Sequence, residues 1–458
     1  VLVGLPVAIT VLFGAAFFIL RALIPKRRLV IGFFHPYCDQ RAGGEKVLWS
    51  LIHTLLLQKE FSRADFKIFT NSDTTDDGSG EPLGLQILRR AQQTFNIPLT
   101  SFTSQVSFVF LTRCRYVNPL RYPRFTMLLQ SLGSTIPAVE ALLQLNPVIM
   151  IDSSGYSFTY PIFKLLGGCR VACYKHYPTI SNDMVQRVSS RQVAFNQVGC
   201  LYLVVQSATI ARSALLTNIK LVYYRAFAAL YRQVGLLFGS LVMVNSHWTQ
   251  DQLHAMWRLP LDQLHLVFPP CPVEHVSQVE FLALQPRDRV ILSVSQFRPE
   301  KNHMLQLEAF KIALDLYKGN ASLALAPGAD AHTVQLVMVG TVRDADLPRI
   351  NALRQAITSM GSALKWTLHL LPRCLQDWRA MGRALIGLHT MRDEHFGIGV
   401  VELLASGVTT VAHRSGGPLM DIVVPSQGTP ILRASVVGEK RVGFLAETAQ
   451  EYAEAIVQ

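Results

Sequence analysis

At 458 residues the chain is too long for one ordinary core and suits two domains of roughly 200 residues each plus a further segment. Half of the residues are hydrophobic and 16% are charged, which is apolar for a soluble enzyme yet excludes a multi-span membrane protein, and so points to a globular body with membrane contact. The formal net charge of +12 makes polyanions the natural partners, but no zinc-finger spacing, RNA-binding sheet motif or sustained Lys/Arg tract accompanies it, so no nucleic-acid partner is expected.

Residues 1–24, VLVGLPVAITVLFGAAFFILRALI, are apolar except for Arg21 and long enough to cross a bilayer as a helix. Lys26-Arg27-Arg28 follow on the body side, so the positive-inside tendency places the globular part in the cytosol. Five short β-branched runs alternate with helical patterns: 29–34, 66–70, 148–152, 169–174 and 241–246. That rhythm is the signature of a doubly wound parallel sheet, here an N-terminal domain over 29–268. Within it, 196–240 is apolar but carries Arg212, Lys220, Arg225 and Arg232, which argues against a span; a helix lying in the headgroup region and one buried between domains both fit. After a linker at 269–288 the rhythm restarts with 290–295, 334–340, 364–371, 385–390 and 408–413, giving a second parallel-sheet domain over 289–458. In such a pair, ligands sit at the carboxyl ends of the strands, facing each other across a cleft. The seven cysteines occur singly; Cys169 and Cys173 read as core, and a reduced compartment fits.

The clearest chemistry lies where the 385–390 strand gives way to Glu394-His395-Phe396-Gly397-Ile398-Gly399-Val400-Val401-Glu402. Gly397 and Gly399 let the backbone approach a ligand, and the N–H groups at the helix start can hold a phosphate. Glu394 in the loop and Glu402 about a turn into the helix are placed so that one can face a sugar and the other a ribose, since carboxylates accept paired hydrogen bonds from hydroxyls. Taken alone, the run also reads as an ordinary loop-to-helix junction. Arg298 and Lys301 follow the first strand of the second half and can neutralise a leaving diphosphate, against the blander reading of a solvated basic turn. Asp344-Ala345-Asp346 matches a metal-binding DxD but reads as a solvated helix start.

This run resembles the Glu-x7-Glu motif of the retaining glycosyltransferases of GT-B fold, and HRSGGPLMDIV (413–423) is similar to the same family. The resemblance implies two Rossmann-like domains, catalytic roles for His176, Arg298, Lys301 and Glu394, and a donor held by Gly43, Gly44, Phe396, Gly397, Ile398, Gly399 and Glu402. It implies no cofactor and no metal. FFHPYC, GGEKVLW, YKHYPTIS, VNSHWT and SQFRPEKNH are similar to the α-1,2-mannosyltransferases that extend the lipid-linked N-glycan precursor. That likeness implies GDP-mannose as donor, dolichyl-diphosphate-linked Man3GlcNAc2 and Man4GlcNAc2 as acceptors, and the cytosolic face of the endoplasmic reticulum membrane. Other transferases of the same pathway are further partners it allows. A UDP-sugar-dependent lipid glycosyltransferase and a non-catalytic scaffold of the same fold stay open, because nucleotide choice is poorly read from sequence.

Overall fold

A computed structural model of the chain describes residues 15, 17–40, 43–73, 78–190, 213–271, 273, 287–319, 334–342, 346–360, 365–370, 382–423, 434–437 and 440–458. Contacts divide it into two units, and each holds one seven-stranded sheet among the described residues.

The first unit contains β1 (Arg28–Phe34), β2 (Asp65–Asn71), β3 (Val106–Leu111), β4 (Pro147–Asp152), β5 (Arg170–Lys175), β6 (Leu241–Val244) and β7 (Leu264–Leu266). They pair in the order β3-β2-β1-β4-β5-β6-β7, every pair parallel. The direction of winding reverses between β1 and β4, where an open α/β sheet leaves its ligand crevice. Phe33 and Phe34 explain why β1 reads as an unbroken apolar run: both are fully buried, one on each face of the sheet. Phe33 packs with Trp49 and Ile52 of the Gly43–Leu57 helix, and Phe34 with Phe163 and Tyr160.

The second unit contains β8 (Asp288–Val294), β9 (Gln335–Gly340), β10 (Lys365–Leu370), β11 (Ala384–His389), β12 (Thr409–His413), β13 (Ala434–Val437) and β14 (Lys440–Ala446). The order is β10-β9-β8-β11-β12-β14-β13, so the same winding recurs with its reversal between β8 and β11. The final β13–β14 pair is antiparallel, a departure from the all-parallel sheet expected. Ser246–Trp248 and the chain from Phe268 onward group with this unit.

Among the described residues no helix is long and apolar enough to cross a membrane. Most of the anchor expected at 1–24 lies outside the described residues; 17–23 are helical, and the Arg21 guanidinium bonds the Leu166 carbonyl. Arg27 donates to the Gly168 carbonyl at 2.9 Å, so the charge inside the apolar run and one of the three that follow it both bond the first unit near Leu166–Gly168. Of the 196–240 stretch, 196–212 lies outside the described residues and the rest contains the helix Ala214–Phe238. Cys169 and Cys173 are buried free thiols, as core residues should be. Asp344-Ala345 lies outside the described residues; Asp346 does start the Leu347–Ser359 helix but is buried at 3% exposure, which corrects the solvated reading.

The Ala214–Phe238 helix turns Tyr224, Phe227 and Tyr231 inward, and its Gly235 lies against the fully buried Trp257. A Cβ at Gly235 would come within 2.3 Å of the indole, itself packed on Tyr231 at 5.1 Å. Gly→Ala inside a helix ordinarily stabilises by about 1 kcal/mol, but here the methyl has no room. Gly235→Ala is therefore expected to destabilise the protein by ~1–3 kcal/mol in a denaturant titration; a gain in stability would contradict this packing.

Candidate active site

In the second unit the loops after β8, β11 and β12 converge. Lys301 closes the short turn Pro299–Lys301 that follows β8, and its ammonium lies 2.5 Å from Glu394 Oε2. Glu394 Oε2 also accepts from His389 Nε2–H at 3.0 Å, at the end of β11. Burial alone would push the Glu394 carboxyl up, but the Lys301 ammonium and the His389 hydrogen bond more than offset it and hold the group well below the usual carboxylate range. Thr390 fixes the backbone beneath this pair by donating to the Lys301 carbonyl at 2.7 Å, and Gln306 donates to the Thr390 hydroxyl at 2.8 Å.

The loop that carries Glu394 is held from the β12 side. Gly417 N–H donates to the Glu394 carbonyl at 2.7 Å, and Asp393 N–H donates to Ser415 Oγ at 2.7 Å. Ser415 in turn lies 2.9 Å from His413 Nδ1, whose pKa burial lowers to about 4. A Cβ on Gly416 would fall 2.2 Å from the Glu394 carbonyl oxygen, so only glycine permits this approach. Gly397 adopts φ 111° immediately before the Ile398–Ala405 helix, a conformation that L side chains rarely take. Glu402 stands on the second turn of that helix and is half-buried. Phe396 is buried beside Phe268, with ring centroids 5.5 Å apart, and His395 stacks on Trp248 at 5.4 Å.

The first unit builds a second cluster at the ends of β1, β4 and β5. His35 is 3% exposed; the Ser153 hydroxyl lies 2.8 Å from its Nδ1 and the Glu45 carboxylate 3.4 Å from its Nε2. His176 donates Nε2–H to the Ser153 carbonyl at 3.0 Å, and burial lowers its pKa to about 4, which keeps it neutral at physiological pH. A Cβ on Gly44 would lie 3.8 Å from His176 Nε2, so the start of the Gly43–Leu57 helix and the end of β5 adjoin.

Within the second unit the structure thus brings Lys301 and Glu394 together, with Phe396, Gly397, Ile398, Gly399 and Glu402 following on the same loop and helix. Arg298 sits three residues before Lys301, its guanidinium 4.0 Å from Glu300. Within the first unit it brings Gly44 and His176 together, and Gly43 opens the same helix as Gly44. Sequence reasoning missed His389, Thr390 and Ser415, which support Glu394, and Glu45, which faces His35. The signal was partial: His389 closes a strand that the sequence does reveal, and Glu45 lies in the run GGEKVLW, but neither carries a motif of its own.

Residues 28–257 match the family described as ALG11 mannosyltransferase N-terminus, and residues 277–456 match that described as glycosyl transferases group 1. The mouse and human proteins named GDP-Man:Man(3)GlcNAc(2)-PP-Dol alpha-1,2-mannosyltransferase are each 39% identical to this chain, over 94% of it and 79% of their own length. A trehalose 6-phosphate synthase from Burkholderia multivorans superposes with a TM-score of 0.56 over 94% of this chain and 90% of its own, at 11% identity, a likeness of fold alone. That fold is GT-B, with its two doubly wound sheets, parallel but for the β13–β14 pair. On the match along both halves, the chain belongs to the ALG11 mannosyltransferase family.

Proposed function

We propose that the chain is a retaining α-1,2-mannosyltransferase that moves mannose from GDP-mannose to dolichyl-diphosphate-linked Man3GlcNAc2 and then Man4GlcNAc2. The observation that carries this reading is the 39% identity to mannosyltransferases of that name across 94% of the chain. The Lys301–Glu394 cluster at the reversal point of the second sheet supports it, because that is where an open α/β sheet holds its ligand.

In this reading Arg298 and Lys301 take the charge of the departing diphosphate, Glu394 binds the mannose, and Glu402 binds the ribose. Gly43 and Gly44 of the first unit approach the diphosphate, and His176 meets the sugar. The bond from the anomeric carbon to the phosphate oxygen breaks with its electron pair going to that oxygen. The acceptor hydroxyl oxygen bonds the anomeric carbon from the same face and gives its proton to the leaving phosphate. Two side-chain cations supply the charge neutralisation, so we propose that no metal is needed.

We further propose an N-terminal membrane anchor and a cytosolic face at the endoplasmic reticulum. The Ala214–Phe238 helix supports membrane contact: its outward side exposes Leu215, Ile219, Val222 and Leu230, and it contains Lys220, Arg225 and Arg232 but no acid. Phe125, 56% exposed, adjoins it through Tyr223 at 5.2 Å between ring centroids. Exposed aliphatic side chains with the exposed Arg225 among them suit an anionic headgroup region.

Two outcomes test these proposals. Incubated with GDP-mannose and a synthetic lipid-diphosphate trisaccharide-core acceptor, the protein should add mannose with EDTA present, and Glu394→Ala should lose at least ~100-fold in rate. Mass gain only from a UDP-sugar, or near-parent turnover by Glu394→Ala, would sink the assignment. In a flotation assay with anionic vesicles, on protein shortened by residues 1–14 so that the proposed anchor does not mask the effect, Ile219→Asp/Val222→Asp should weaken binding by about tenfold; unchanged flotation would remove this helix from the membrane surface.

A further inference from the structure

Asp152 and Lys175 end β4 and β5 and are almost wholly shut away from solvent, at 1% and 0% exposure. Lys175 Nζ lies 3.5 Å from Asp152 Oδ2 and donates to Ser157 Oγ at 2.7 Å, with the rings of Tyr160 and Trp257 at 5.0 and 5.6 Å. Tyr160 donates its hydroxyl to the same carboxylate oxygen at 2.5 Å. The other oxygen, Oδ1, accepts three successive backbone N–H groups, from Ser154, Gly155 and Tyr156, at 3.0, 2.9 and 3.3 Å. A buried ion pair is weak support for stability, since apolar replacements of similar volume are often as stable. Its place at the strand ends calls for another explanation.

That explanation lies in one peptide plane. The Ser153–Ser154 peptide presents its N–H to Asp152 Oδ1 at 3.0 Å and its carbonyl to His176 Nε2–H, also at 3.0 Å. Because the peptide unit is planar, fixing the N–H fixes the direction of the carbonyl. Lys175, which steadies the carboxylate, is the residue before His176. Asn245 donates to the His176 carbonyl at 3.0 Å, and Tyr174 meets its ring edge-on at 4.9 Å, so backbone and ring are both restrained. We infer that the Asp152–Lys175 pair positions His176: it clamps the Ser153–Ser154 peptide so that the carbonyl holds the imidazole as its Nε2–H tautomer and leaves Nδ1 as an acceptor for a sugar hydroxyl. Asp152 and Lys175 are thus positioning residues that act through Ser153. Only the sugar hydroxyl rests on the transferase reading; the tautomer does not.

The test uses the full chain labelled with 15N-histidine, with the His176 signals assigned by their loss in His176→Asn. The parent should show a neutral Nε2–H tautomer from about pH 5.5 to about 8. The double variant Asp152→Val/Lys175→Met removes the clamp together with the cation it would orphan. It should show mixed His176 tautomers and a kcat at least ~10-fold lower, with the donor KM within about threefold. A parent His176 that is Nδ1–H or imidazolium overturns the inference, and this arm stands even if the double variant fails to fold. A folded double variant that keeps parent kcat and a single tautomer overturns it as well. If the parent transfers no mannose, the transferase reading fails while the spectra still decide the tautomer.

Discussion

A carboxylate in the loop after one central strand meets a lysine after its neighbour, and the loops of the second unit are arranged around that meeting. Glu394 cannot reach Lys301 unless the 390–397 segment follows a set path, and two glycines of the β12 loop make the path possible. Gly416 and Gly417 lie so close to the backbone of Glu394 and Phe396 that a Cβ on either would fall 2.2 Å from a carbonyl oxygen. The sheet supplies the rest, because β8 and β11 are neighbours at the point where the winding reverses. Tyr452, from the last described helix, closes the arrangement by donating to the His389 carbonyl at 2.9 Å.

The first unit repeats the device at a greater depth. There the carboxylate is Asp152 at the end of β4 and the lysine is Lys175 at the end of β5, drier than the Lys301–Glu394 pair. Depth decides what each pair can do. Lys301 and Glu394 retain 21% and 14% side-chain exposure and can meet a ligand, whereas Lys175 and Asp152 can act only on the groups packed around them. Burying charge at strand ends is costly in both units, and it occurs where an open α/β sheet binds its ligands.

The central strands are legible in the sequence for a physical reason. A parallel strand covered on both faces must be apolar throughout, and runs such as VIMID and LIGLHT stand out against their surroundings. The strands that sequence reasoning missed offer weaker runs: β7 and β13 are only three and four residues long, and β3 and β14 are broken by Ser107 and Gly443. The site divides in the same way. Glu394, Lys301 and the glycines sit in motifs whose residue types announce their chemistry. His389, Thr390, Ser153 and Asp152 act through hydrogen bonds that only the folded chain creates, and nothing in their spacing marks them.

Lys301 and His389 hold Glu394 ionised, and the site in the second unit depends on that charge. A carboxylate whose folded pKa is depressed contributes stability that is present above the ordinary carboxylate range and lost as pH falls through the folded value. Side-chain 13C labelling of glutamate, with the Glu394 signal assigned through Glu394→Gln, measures this directly. Glu394 should stay ionised to well below the ordinary carboxylate pKa of about 4.3, and Lys301→Met should move its titration upward. A Glu394 that titrates in the ordinary range, unmoved by Lys301→Met, would overturn this picture of the site.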